Sequence, residues 1–173
     1  KDNLIYRGQK LVNYCTKCGT GYSDLEVVHE EKVSPLYYIK YFFADDPTKF
    51  ITVATTRPEP IYVDTHLAIN PKDKRAKKLK GQKLLNPLTG AVMEILEDPF
   101  VDPKFGTGIV KLTPAHDQTD FDVAQKFGLP IIKAIGTQGK MIGGPSIGKR
   151  VFTAREETAK TLQASGHLEK IDD

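Results

Sequence analysis

K-L-T-P-A-H-D-Q-T-D-F-D, Lys111 to Asp122, decides how this 173-residue chain is read. It follows the apolar run G-T-G-I-V of Gly106 to Val110 and gathers two hydroxyls, His116 and three carboxylates, Asp117, Asp120 and Asp122, around one proline. The spacing predicts a strand over 108–113 that stops at Pro114, which has no backbone donor to continue a ladder. A helix then begins. Asp117 is a good N-cap, Asp120 falls three residues on in the manner of a capping box, and Phe121, Ala124 and Phe127 give an apolar stripe that Gly128 ends. Two readings of the acids stand side by side. Carboxylates at a helix N-terminus are explained by capping and the helix dipole alone. A strand, a tight turn and a helix start also bring side chains to a sheet edge where a ligand approaches, and two acids there can hold an ammonium and a hydroxyl together.

The rest of the chain supports one globular domain, residues 1–173. Hydrophobic residues make up 39% of it, enough to bury a core, and a net charge of +3 with 27% charged residues is too mild to identify a nucleic-acid binder. No apolar run reaches membrane-spanning length and no apolar signal core stands at the N-terminus, so a cytoplasmic protein is expected, without membrane contact. P-loop, H-E-x-x-H and G-x-S-x-G patterns are absent from the sequence. Cys15 and Cys18 form a C-x-x-C knuckle, half of a four-ligand zinc site. With no second C-x-x-C, and only His29 nearby, no metal site complete within the chain is expected; missing sequence is the better source of further ligands.

In order along the chain, an opening strand over 3–14 bends at Gly8. A hairpin then pairs 25–31 with the aromatic strand 36–43 across Val33-Ser34-Pro35, Tyr37, Tyr38 and Tyr41 serving sheet packing. Phe50 to Thr56 reads as a buried strand ending at Arg57-Pro58-Glu59-Pro60, where Pro58 suits the first position of a short helix. Thr55, Thr56 and Arg57 there form a second polar concentration. It is either a capped turn with a surface ion pair or a seat for a carbonyl or phosphate oxygen. Pro71 to Lys80, six of ten residues Lys or Arg, reads as a solvated helix face and the best local candidate for a phosphate contact. Short strands are expected at 67–70, just before that run, and after it at 82–85, 92–96 and 130–135, with a glycine-rich hairpin tip over 136–144. An amphipathic helix over 153–165, capped by Thr153, carries no evident chemistry. The sum is an α+β fold, a mixed, barrel-like β-sheet core with a few flanking helices.

Two separated motifs, A-T-T-R-P-E (Ala54 to Glu59) and F-G-T-G-I-V-K-L-T-P-A-H-D-Q-T-D (Phe105 to Asp120), together resemble the editing domain inserted into the class I aminoacyl-tRNA synthetases for valine, isoleucine and leucine. The T-P-A-H-D form points to the valyl member, and the likeness runs nearly the whole length. The adenylate-forming signatures of such enzymes are missing, which implies an excised editing module whose first 45 residues and C-terminal end connect to an absent catalytic domain.

The resemblance implies post-transfer editing: hydrolysis of the ester of mischarged Thr-tRNA(Val) by a positioned water, without cofactor or metal. Thr55 and Arg57 match a strand end that contacts the terminal adenosine and ester, with Thr56 and Glu59 beside them. Lys111 and Thr113 match pocket residues on the opposing strand, behind Gly106, Thr107 and Gly108. Asp117 matches the acid associated with the threonine hydroxyl and Asp120 the one that anchors the α-ammonium. His116 is the rival general base. Pro60 stands where the family pattern has threonine, which removes a hydroxyl and a backbone donor. Implied partners are tRNA, through its 3′-terminal aminoacyl-adenosine, and the remainder of the synthetase, the isolated domain being monomeric. A leucyl or isoleucyl editing domain and a non-catalytic tRNA-binding module are the alternatives.

Overall fold

The computed structural model describes residues 4–5 and 7–172. The strands are β1 (Asn13–Cys15), β2 (Thr20–Tyr22), β3 (Leu36–Phe42), β4 (Phe50–Thr55), β5 (His66–Ile69), β6 (Lys83–Leu85), β7 (Val92–Glu97), β8 (Ile109–Lys111) and β9 (Leu168–Asp172). Three helices accompany them: α1 (Ala76–Leu79), α2 (Gln118–Phe127) and α3 (Val151–Ala164). β1 and β2 form a separate hairpin, β4-β3-β9 an antiparallel sheet, and β6-β7-β5-β8 a mixed sheet in which only β5 and β7 run parallel. The fold is therefore α+β. An isolated Phe43–Leu84 bridge ties the end of β3 to β6, and β4 lies against β8, so the two larger sheets share one core.

Alternation builds that core. β3 turns Tyr37, Ile39 and Tyr41 inward, where they meet Leu67, Ile69, Leu84, Met93 and Ile109 of the mixed sheet and Leu162 of α3. On the other face of the mixed sheet, Val123 of α2 packs with Ala68, Val101 and Leu112. β4 and β8 thus end side by side, with the start of α2 above them. Among the described residues no helix is long and apolar enough to cross a membrane.

Several expectations are corrected. The hairpin partner over 25–31 does not form: a 3-10 turn at Asp24–Glu26 replaces it, and β3 takes β4 and β9 as neighbours. Leu25, Val28 and Val33 are almost wholly exposed, so a strand there has no layer to bury its face against. Of the opening strand only 13–15 is extended in a ladder; Asn3 and Tyr6 lie outside the described residues, as do the extreme ends of the 1–173 domain. The strand over 130–135 reduces to one bridge, Ile135 to Met141, because the N–H groups of Ala134 and Ile135 are taken by the His116 ring instead of a ladder. The short helix after β4 starts later than Pro58, as a 3-10 turn over Ile61–Val63 with Pro60 at its N-cap. α3 begins at Val151, so Thr153 already sits inside its first turn. In α2, Phe127 is exposed and Val123 fills the core in its place.

Candidate active site

The end of β4 and the turn after β8 face each other across a cavity of about 220 Å³. On the β4 side the Thr55 hydroxyl accepts the Arg57 N–H at 3.1 Å and turns the chain, and Arg57 Nη1 donates to the His116 carbonyl at 3.0 Å, tying one wall to the other. The opposite strand, expected to run to Thr113, stops at Lys111: the Leu112 N–H still reaches the His66 carbonyl at 3.1 Å, but the Thr113 N–H turns to Asp120 before Pro114 is reached. Asp117 then caps α2 by accepting the Asp120 N–H at 3.1 Å. Asp120 does not complete a capping box. Its Oδ2 reaches back to the Thr113 N–H at 2.7 Å, leaving Oδ1 without a protein donor among the described residues. Thr55, Thr56 and Arg57 line one side of the cavity, Lys111, Asp117 and Asp120 the other, and Leu36, Pro60 and Phe105 supply apolar surface.

Beneath this floor lies a buried polar network. Asp64, fully enclosed, accepts the Thr113 hydroxyl at 2.7 Å on Oδ1, and Lys111 Nζ stands 3.4 Å from Oδ2 while donating to the same Thr113 hydroxyl. Burial pushes the Asp64 carboxyl up to about 7 against the pull of Lys111 and Thr113. Asp120 is raised to about 6, chiefly by burial and further by Asp117, while the Thr113 N–H, Lys111 and Arg57 oppose it. His116 moves the other way, down to about 4, because it is buried beside Arg57 and Lys111. Its Nε2 accepts two backbone N–H groups, Ala134 at 2.8 Å and Ile135 at 3.1 Å, which places the ring proton on Nδ1. The ring is a neutral brace holding the 134–135 segment, with its basic nitrogen already occupied.

Relatives match along the whole chain. A valine--tRNA ligase of Thermotoga maritima is 45% identical over 175 residues, covering 100% of this chain and 20% of its own length, and that of Geobacter sulfurreducens is 41% identical with the same coverage. The sequence profile of a family described as "Leucyl-tRNA synthetase, editing domain" matches residues 77–170. The chain belongs to the editing-domain family of the class I aminoacyl-tRNA synthetases. Solved structures agree on the fold: the LeuRS of an Agrobacterium radiobacter ternary complex with tRNA and LeuAMS gives a TM-score of 0.66 at 18% identity, covering 80% of this chain and 20% of that one. GlLeuRS-CP1 gives 0.64 at 14% identity, covering 81% and 99%. This editing domain spans 20% of the length of the valine ligases it matches.

Of the residues expected from sequence, the editing domain brings Thr55, Thr56, Arg57, Lys111, Thr113, His116, Asp117 and Asp120 to one cavity. Glu59, Gly106, Thr107 and Gly108 do not line it, though Glu59 lies directly behind Arg57. Glu59 is buried beneath the β4 turn in a two-pronged pair with Arg155. Gly106 and Gly108 have φ of 57° and 71°, and a Cβ on Gly108 would lie 2.8 Å from the Pro103 carbonyl oxygen, so their role is to let the loop pass close to its neighbours. The Thr107 carbonyl accepts from Arg75. Sequence reasoning missed Asp64, whose only signal is a lone acid between the apolar runs I-Y-V and L-A-I, and Arg155, whose partner is 96 residues away. The basic run is mostly solvated: α1 buries Ala76 and Leu79, and Arg75 is held by Asp73. Cys15 and Cys18 are free thiols on the β1–β2 hairpin, the Cys18 N–H directed at Cys15 Sγ at 3.3 Å, and no group of three metal-ligating side chains occurs among the described residues.

Proposed function

We propose that the chain is the editing domain of a valine--tRNA ligase and hydrolyses the ester of threonine mischarged onto tRNA(Val), its first 45 residues and C-terminal strand joining it to the body of that enzyme. The observation that carries this reading is the convergence of Asp117 and Asp120 with Thr55–Arg57 and Lys111 on one cavity of about 220 Å³, a size for an aminoacyl group with its ester. The full-length identity to valine ligases supports the choice of amino acid. A synthetic pocket that fits valine rejects threonine by only about 100-fold, a known property of valyl enzymes rather than one derived from these residues. The second pocket must therefore favour the hydroxyl.

In this reading Asp120 Oδ1 takes the α-ammonium and Asp117 accepts the threonine hydroxyl, which valine lacks. Asp117 is exposed in the free domain and spends Oδ1 on the α2 cap, so bound valine would cover its other oxygen without offering it a hydrogen bond, at a cost of about 1–3 kcal/mol. The Arg57 guanidinium and the Thr55–Thr56 strand end receive the terminal nucleoside. Water attacks the ester carbon, Lys111 supplies positive charge near the oxygen that becomes anionic, and the C–O bond to the ribose breaks as the ribose oxygen takes the proton the water gives up. The two N–H groups on Nε2 argue against His116 as the base. Thr113 serves as a fixed link between Lys111 and Asp64.

The test places this chain in a valine--tRNA ligase of the relatives' length and measures hydrolysis of Thr-, Val- and Ile-charged tRNA. Rapid loss of threonine alone is expected, abolished by Asp120→Ala without loss of fold and declining as pH falls through about 6, where Asp120 protonates. Preferential cleavage of an isoleucyl ester, or full activity in the Asp120 variant, refutes the assignment.

A further inference from the structure

Arg155 projects from α3, a helix anchored in the core by Ala154, Thr158, Ala159 and Leu162. Its Nε and Nη2 each meet one oxygen of Glu59 at 3.0 Å, the two-pronged geometry that fixes both planar groups. The Glu59 side chain has no exposed surface and that of Arg155 only 17%. Glu59 Oε1 also faces Arg57 Nε at 3.9 Å, and Arg57 Nη1 donates to the His116 carbonyl at 3.0 Å. The Arg57 guanidinium is therefore held from behind by an acid and from one side by a carbonyl, and Nη2 has no protein acceptor among the described residues. A buried ion pair is often less stabilising than apolar residues of the same shape, so a pair under the site calls for a reason beyond folding.

We propose that Arg155 is a positioning residue for the editing reaction: by clamping Glu59 from α3 it limits how far that acid can draw Arg57, and so keeps the guanidinium at the cavity wall. The inference rests on the editing reading above. With Arg155 present, both Glu59 oxygens are engaged and Arg57 stays at the longer distance. Without it, Glu59 retains a buried charge whose nearest remaining cation is Arg57. The shift from 3.9 Å to full contact pulls Arg57 off the His116 carbonyl and away from the substrate's nucleoside end.

The experiment uses the full-length ligase carrying this chain and steady-state hydrolysis of Thr-tRNA(Val). Arg155→Met raises KM about tenfold, the scale of one lost charge-assisted hydrogen bond, with kcat within about twofold. Adding Glu59→Gln removes the charge that misdirects Arg57 and returns KM to within about threefold of the parent. In an Arg57→Ala background Arg155→Met leaves kcat/KM unchanged, since there is no guanidinium left to place. A purely structural Arg155 also gives the rescue, because Glu59→Gln relieves the unpaired buried charge, but it does not give the non-additivity with Arg57. Should Arg155→Met not fold, Arg155→Lys keeps the charge without the fork and still raises KM. An unchanged KM in the folded Arg155 variants, or a rise that persists in the Arg57→Ala background, overturns the proposal while an active parent leaves the editing reading standing. A parent inactive on Thr-tRNA(Val) overturns both.

Discussion

Asp64→Asn tests the buried network under the cavity floor through its stability. The Asp64 carboxyl is fully enclosed, its Oδ2 makes no hydrogen bond, and burial raises it from the ordinary 3.8 to about 7 even with Lys111 beside it. A carboxyl raised on folding is favoured in its neutral form, so its contribution to stability is fully present below about 3.8 and is lost as pH rises through about 7. The shift of roughly three units corresponds to about 4 kcal/mol against the folded state above pH 7. Asparagine keeps an acceptor for the Thr113 hydroxyl and carries no charge, so it resembles the protonated acid. The variant is therefore expected to be more stable than the parent by roughly 4 kcal/mol at pH 8, the value of about 7 already including the attraction to Lys111, and by only about 1–2 kcal/mol at pH 5, a little above the ordinary 3.8. Deacylation should fall in the same variant, because Lys111 loses its counter-charge; stability and activity then move in opposite directions. Urea denaturation followed by circular dichroism from pH 5 to 8 measures the gap. A variant less stable at pH 8, or a gap that does not widen with pH, refutes the reasoning.

Two further outcomes follow from the site's frame. His116 is lowered on folding from 6.5 to about 4, so its contribution is present above about 6.5 and is lost as pH falls toward 4; this amounts to roughly 2–3 kcal/mol. His116→Gln, whose amide oxygen can still accept the two N–H groups but does not titrate, should give a visibly shallower acid decline in urea midpoints, and an unchanged slope contradicts the assignment. Gly108→Ala forces a side chain at φ 71° against the Pro103 carbonyl and Arg75, both 2.8 Å from the new Cβ, and should cost about 1–3 kcal/mol of stability. A thermal melt within a degree of the parent would show that the loop relaxes freely.

Local chemistry made much of this legible before any coordinates. The Asp117 cap and Gly128 bound a helix by rules acting within a few residues, and the structure has both, whereas the strand before it stops at Lys111, short of Pro114. The two polar motifs, T-T-R and K-L-T-P-A-H-D-Q-T-D, were readable as a pair through family resemblance, and β4 and β8 do end side by side around one cavity. Strand partners were not legible: 25–31 has the composition of a strand, but a ladder needs a neighbour and a covered face, and neither exists for it.

What the sequence alone determined is where the chain turns, caps and stops, and which side chains have the chemistry to hold an ammonium, a hydroxyl and an ester. Which of them share a cavity was decided by the sheets, because that depends on register between strands far apart in sequence. The same holds for Asp64 and Arg155. A lone acid and a helical arginine look ordinary in one dimension, and they acquire their roles only when folding encloses the first under Lys111 and brings the second across 96 residues to Glu59.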